Sequence, residues 1–128
     1  MAVDLTRPVM VVDDSRTVAR ILQSLLRSLG FTQVETAASG DEALAKLREQ
    51  PYGLVVSDWN MRPMSGFDLL KTVRDDAARR DTPFILVSAD DFPDKAEATR
   101  AAGGGAYLPK PFDAQALRGK IAAVLGEF

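Results

Sequence analysis

Three short apolar runs in this chain each end in a residue able to do chemistry. Val9-Met10-Val11-Val12 leads into Asp13-Asp14, Leu54-Val55-Val56-Ser57 into Asp58, and Phe84-Ile85-Leu86-Val87 into Ser88. Short, continuous, β-branched runs of this kind read as strands buried on both faces, as in a parallel sheet covered by helices. In open α/β sheets, ligands bind beyond the carboxyl ends of the strands. Three acids and a hydroxyl are therefore expected to meet in one small pocket.

The segments between the runs carry helical spacing. Asp14-Ser15 offers a helix cap, and Val18, Ile21, Leu22, Leu25, Leu26 and Leu29 follow at helical intervals as far as Gly30. Val34 to Ala37 reads as a short strand. Ser39-Gly40-Asp41 opens a helix with Ala43, Leu44 and Leu47, which Pro51 stops. Ser65-Gly66 starts a third helix with Phe67, Leu70 and Val73 on one face. Pro93 suits the first turn of a helix over Asp94 to Ala102, whose end Gly103-Gly104-Gly105 marks. Ala106 to Pro109 reads as a fifth strand, and Leu117, Ile121, Val124 and Leu125 mark a final helix. Alternating strands and helices with short connections predict a doubly wound α/β fold, a single domain over 1–128 without internal repeat or linker. Any output is then expected from this domain's own surface.

Composition removes whole classes of chemistry. The chain has neither cysteine nor histidine. That excludes a thiol nucleophile, a disulfide, a thiolate zinc site, a Ser-His-Asp triad and a phosphohistidine on this chain. Any metal must be held by oxygen, which points to magnesium, manganese or calcium. Sixteen basic against 18 acidic residues, a net charge of -2, argues against a duplex-DNA partner. No apolar run approaches the roughly 18 residues that span a bilayer, and no signal-peptide pattern opens the chain. A cytoplasmic protein without membrane or nucleic-acid partners is expected.

Two unit charges about 4 Å apart repel by about 4 kcal/mol at an effective dielectric near 20. Asp13, Asp14 and Asp58 must therefore spread apart, hold a proton or bind a cation. Magnesium accepts a few carboxylates, keeps several waters and then coordinates phosphate oxygens. An oxygen-only site at strand ends thus points to phosphoryl transfer, and Lys110 after the fifth strand would supply counter-charge for the phosphate. Each residue also has a plainer reading. Asp13 and Asp14 suit a helix cap, Asp58 a turn and Ser88 a cap. Tyr107 suits a half-buried strand aromatic and Lys110 a solvated loop cation.

Taken together, Val12-Asp13-Asp14-Ser15, Asp58-Trp59-Asn60-Met61, Ser88-Ala89-Asp90 and Tyr107-Leu108-Pro109-Lys110-Pro111-Phe112 resemble the receiver domain of two-component response regulators. The likeness runs from about Pro8 to the end of the chain. Leu69-Leu70-Lys71-Thr72-Val73-Arg74 after the Asp58 block is similar to single-domain chemotaxis regulators. The resemblance implies a flavodoxin-like five-stranded parallel sheet, order 2-1-3-4-5, with five helices and no output domain. It implies that Asp58 is the phosphoacceptor, attacking a phosphohistidine on a sensor histidine kinase. Asp14, Asp58 and the backbone carbonyl of Asn60 would ligate Mg2+ (or Mn2+) directly, and Asp13 through coordinated water. Lys110 would pair with the phosphoryl group, Ser88 would donate its hydroxyl to it, and Tyr107 would change rotamer with Ser88. Asn60 and Asp90 would tune dephosphorylation, and the Lys110-Pro111 bond would be cis. The implied downstream partner is a protein, such as a flagellar motor switch component or a phosphotransfer protein. A monomeric switch rather than an enzyme is expected.

Three positions depart from that pattern. Arg62 stands where proline usually follows the methionine, with Pro63 next; its guanidinium suits phosphate or a partner's acid, or plain solvent. Ser65 replaces a usual acidic residue or asparagine, and Gly103-Gly104-Gly105 leaves room for a looser loop. Rival functions share the pocket. A relay intermediate would use every site residue. A magnesium-dependent aspartyl phosphohydrolase is disfavoured because Asn60, not an acid, stands two residues after Asp58. A degenerate receiver binding a nucleotide messenger is disfavoured by the complete acceptor set.

Overall fold

The computed structural model describes residues 4–89, 93–103 and 105–126. Five strands, β1 (Val9–Val12), β2 (Val34–Ala37), β3 (Leu54–Asp58), β4 (Phe84–Ser88) and β5 (Ala106–Pro109), alternate with five helices. These are α1 (Arg16–Ser28), α2 (Gly40–Glu49), α3 (Gly66–Asp75), α4 (Pro93–Ala101) and α5 (Ala114–Leu125). All neighbouring strands are parallel, in the order β2-β1-β3-β4-β5. The fold is the flavodoxin-like one expected, and α4 begins and ends one residue earlier than its sequence pattern suggests.

The apolar runs are continuous because both faces of the sheet are covered. Val9, Val11, Leu54, Val56, Ile85, Val87 and Leu108 point to one side, where Ala19, Leu22 and Leu26 of α1 and Leu117 and Ile121 of α5 meet them. Met10, Val12, Val55, Phe84, Leu86 and Tyr107 point to the other, against Ala43 and Leu47 of α2 and Leu69, Leu70 and Val73 of α3. Every residue of β1, β3 and β4 is buried. Each large apolar side chain among them contributes about 1.5–3 kcal/mol of burial.

Local chemistry starts the helices where the sequence signals them. Ser15, Ser39 and Asp113 cap α1, α2 and α5 by accepting the N–H groups of Val18, Glu42 and Ala116. Ser65, one of the departures noted above, forms a capping box with Asp68: its hydroxyl accepts the Asp68 N–H while the Asp68 carboxylate accepts the Ser65 N–H. Either an acid or a serine can cap a helix, so the substitution costs little.

Two features differ from the sequence pattern. Ile21 falls within the helical spacing of α1, yet it is 55% exposed, while Leu22 and Leu26 carry the burial. Gly103 and Gly105 are packed rather than loose. Gly103 turns the chain with φ 82 after α4, and Arg74 of α3 donates to its carbonyl (2.7 Å) and to that of Thr82 (2.7 Å). A Cβ on Gly105 would lie 2.4 Å from Val124 Cγ1 and 2.9 Å from the Phe84 carbonyl oxygen. Gly104 lies outside the described residues.

Candidate functional site

Strand register places the acids. Val12 pairs with Ser57, so Asp13 and Asp58 follow side by side off the ends of β1 and β3. Asp58 pairs with Val87, which sets Ser88 at the neighbouring end of β4. Ser88 in turn pairs with Pro109, and its carbonyl accepts the Lys110 N–H (2.7 Å), which fixes the start of the β5–α5 connection. Lys110-Pro111 is a cis peptide bond in that connection. Four strand ends thus converge on one spot, as the opening pattern implies.

Asp13, Asp14 and Asp58 each present a carboxylate oxygen, and these oxygens lie within 4.8 Å of one another. Asp13 and Asp58 are buried and Asp14 is exposed. The Lys110 ammonium stands 3.4 Å from Asp58 Oδ1, a long ion pair that only partly compensates the cluster. Asp13 is half committed to the backbone, since its Oδ1 accepts the Ser15 N–H (2.8 Å) at the mouth of α1. Its Oδ2 is buried and accepts no hydrogen bond among the described residues. A helix-entry role alone leaves that oxygen unexplained, because an unsatisfied buried acceptor costs about 1–3 kcal/mol. Burial pushes the Asp13 carboxyl above its ordinary value, with Asp58 and Asp14 acting in the same sense and the Ser15 N–H and Lys110 opposing.

The β3–α3 loop is pinned against this cluster. The Trp59 carbonyl accepts from both Met61 N–H (3.2 Å) and Gly66 N–H (3.0 Å), and the Trp59 N–H donates to the Val87 carbonyl (2.8 Å). Gly66 presses on the end of β3: a Cβ there would fall 2.0 Å from the Asp58 carbonyl oxygen. Only glycine permits that approach, which makes Gly66 a site residue as well as a helix start. Its position just before the α3 apolar face was the available signal.

The remaining expected residues divide. Ser88 is fully buried and Tyr107 is buried with its ring edge-on to Trp59 at 6.2 Å and 85°. Asn60 is exposed in the loop beyond Asp58. Arg62 is also exposed, precedes a second cis proline at Pro63, and makes no hydrogen bond or ion pair among the described residues. Asp90 lies outside the described residues. One participant escaped the sequence reading: Lys95, in the first turn of α4, donates to Ser88 Oγ (3.3 Å) and rests 4.9 Å from the Trp59 ring centroid.

The profile of the response regulator receiver domain matches residues 9–122. The chain belongs to that family. The receiver is 41% identical over 113 residues to the chemotaxis protein CheY of Pseudomonas aeruginosa, covering 88% of this chain and 91% of that one. It is 37% identical to the chemotaxis protein CheY-3 of Vibrio cholerae, covering 88% and 87%. The structure of Vibrio cholerae CheY4 superposes with a TM-score of 0.86 at 34% identity, covering 94% of this receiver and 99% of that chain. The CheX-CheY-BeF3-Mg complex of Borrelia burgdorferi gives a TM-score of 0.85 at 25% identity over 92% of this receiver and 88% of that chain. Among the described residues, no helix is long and apolar enough to cross a membrane.

Proposed function

We propose that this receiver is a phosphorylation switch of a two-component system, with Asp58 as the acceptor and a phosphohistidine on a sensor histidine kinase as donor. The observation that carries the reading is a buried Asp58 flanked within 4.8 Å by two further carboxylates and paired at 3.4 Å with Lys110. In the transfer, an Asp58 carboxylate oxygen attacks phosphorus, the P–N bond to the donor imidazole breaks, and the ring nitrogen leaves with the bonding pair. Lys110 then holds the phosphoryl oxygens, and Ser88, buried one position beyond the residue opposite Asp58, donates its hydroxyl to them.

The donor set fits a hard divalent cation, Mg2+ or Mn2+, because all its atoms are oxygen and one of them, Asp13 Oδ2, is buried without a hydrogen-bond donor among the described residues. Asp14, Asp58 and the Asn60 carbonyl would hold it, with Asp13 acting through water. Such an ion supplies charge neutralisation for the incoming phosphate and fixes the line of attack. Asn60 beyond Asp58 offers no acid to protonate a leaving alcohol, so one phosphoryl group per chain and slow hydrolysis are expected rather than turnover of organic phosphates. Similarity to chemotaxis proteins supports a cytoplasmic place in chemotaxis signalling. The α4–β5–α5 surface would then present the change to a partner such as a flagellar motor switch component.

Incubation with a small phosphodonor and Mg2+, followed by mass spectrometry, should add one phosphoryl group to the wild-type chain and none to Asp58→Asn. Unchanged mass under conditions that label a control receiver refutes the reading.

A further inference from the structure

The pocket contains a second lysine that reaches a different group from the first. Lys110 approaches Asp58, whereas Lys95 comes from α4 and donates to Ser88 Oγ (3.3 Å). An ammonium has only donors, and a serine hydroxyl has a single O–H. In this contact Ser88 must accept, so its one proton is directed away from Lys95. A hydroxyl that accepts from a cation is also a stronger donor through its own O–H. That is the state a hydroxyl needs in order to donate to a phosphoryl oxygen.

The seat of Lys95 is built from fixed parts. Its ammonium lies 4.9 Å from the Trp59 ring centroid, within cation–π range. The Trp59 ring is stacked on Phe67 at 4.9 Å and 15° and is met by the Tyr107 edge. Trp59 follows the acceptor Asp58 directly in sequence, and its N–H is bonded to β4 (2.8 Å). One side chain therefore joins the first turn of α4 to the loop that carries the acceptor and to the hydroxyl at the end of β4.

We propose that Lys95 is a positioning residue of the switch: it turns the Ser88 hydroxyl outward to the phosphoryl group on Asp58 and thereby ties α4 to the phosphorylation state. The inference rests on the assignment of Asp58 as acceptor and adds the element through which Ser88 is set. Because Lys95 acts through Ser88, its effect on phosphorylation must vanish when that hydroxyl is absent.

The test compares wild type, Lys95→Met, Lys95→Arg, Ser88→Ala and the Lys95→Met/Ser88→Ala double variant, with phosphoramidate and Mg2+ as the probe. Phosphorylation is followed by Trp59 fluorescence and by mass, and urea unfolding checks that each variant folds. Lys95→Met is expected to lower the apparent phosphorylation constant about 3–10-fold, the scale of one ordinary hydrogen bond net of solvation. Lys95→Arg should recover most of it, and Lys95→Met should change nothing further in the Ser88→Ala background. Equal constants for wild type and Lys95→Met overturn the proposal, as does the same fold-change with and without the Ser88 hydroxyl. A wild-type chain that gains no phosphoryl group overturns the Asp58 assignment, and the Lys95 role with it.

Discussion

Replacing Asp13 by asparagine in metal-free protein should make the fold more stable, because it removes one buried negative charge while keeping the side chain's shape. At a separation of 4.8 Å, one like-charge pair repels by about 3.5 kcal/mol at an effective dielectric near 20 and about 0.9 kcal/mol in bulk water. Asp13 faces two such neighbours and loses some attraction to Lys110 on neutralisation, which leaves a net gain of about 1–3 kcal/mol. Capping at the start of α1 changes little in Asp13→Asn, because the amide oxygen can still accept the Ser15 N–H. For a chain of this size the gain corresponds to about 3–5 °C in Tm per kcal/mol. The pH dependence has a definite sign. The folded-state value of Asp13 is raised above the ordinary 3.8, so between those two values the folded chain binds more protons than the unfolded one, and stability falls as pH rises. The advantage of Asp13→Asn should therefore be full above the raised value, shrink as pH falls through it, and disappear below the ordinary 3.8. Mg2+ should narrow the gap, since a cation that binds only the folded state stabilises by about 2.7 kcal/mol at a hundred times its Kd, and the variant forfeits a share of that. Urea unfolding followed by Trp59 fluorescence, in EDTA and in Mg2+, reads all of this. A variant less stable than wild type in EDTA, or one gaining as much from Mg2+, refutes the charge argument.

The two tight glycines give further tests. Gly66→Ala should destabilise by about 3 kcal/mol or more, because the atom it meets at 2.0 Å is the Asp58 backbone oxygen, which cannot step aside without moving the end of β3. Labelling by a phosphodonor should fall in the same variant, measured at a temperature where circular dichroism shows it folded. Gly105→Ala should cost about 1–3 kcal/mol in a urea titration, since Val124 can shift but the Phe84 carbonyl cannot, and its Mg2+-dependent labelling should stay near wild type.

What was legible in the sequence follows the backbone. Strand ends are set by runs such as Val9–Val12 and Leu54–Asp58, whose every residue is buried, and parallel register then forces Asp13, Asp58 and Ser88 together. Helix entries were legible because Ser15, Ser39 and Ser65 cap by local rules. Facing was less legible. Ile21 shares the spacing of Leu22 and Leu25, yet one helix can turn only part of so broad an apolar surface inward. Lys95 was missed for a related reason. It lies on a helix of low amphipathic contrast, so nothing in Pro93–Ala101 announces which side meets the pocket. Gly103 and Gly105 looked permissive in composition, whereas a left-handed φ of 82 at the first, and Val124 and the Phe84 carbonyl against the second, favour glycine at both.

On the proposed assignment of Asp58 as acceptor, the charges around it couple a divalent cation to the phosphoryl group. Among the described residues, three acids against Lys110 and Lys95 leave one negative charge in a site where two of the acids are buried. A phosphoryl group carries about two negative charges in place of the carboxylate's one, so phosphorylation without a divalent ion deepens the imbalance. A divalent ion alone overshoots by one positive charge. With both present the charge on these five groups, the ion and the phosphoryl closes to about zero, so each lowers the cost of the other, and such coupling is reciprocal by linkage. The two lysines then have separable work in that balanced state. Lys110 approaches Asp58 itself at 3.4 Å, while Lys95 reaches Ser88 and Trp59 and, on the proposal above, carries the change into α4. In the proposal above, this split between the acid and the hydroxyl is what lets α4 read the state of Asp58.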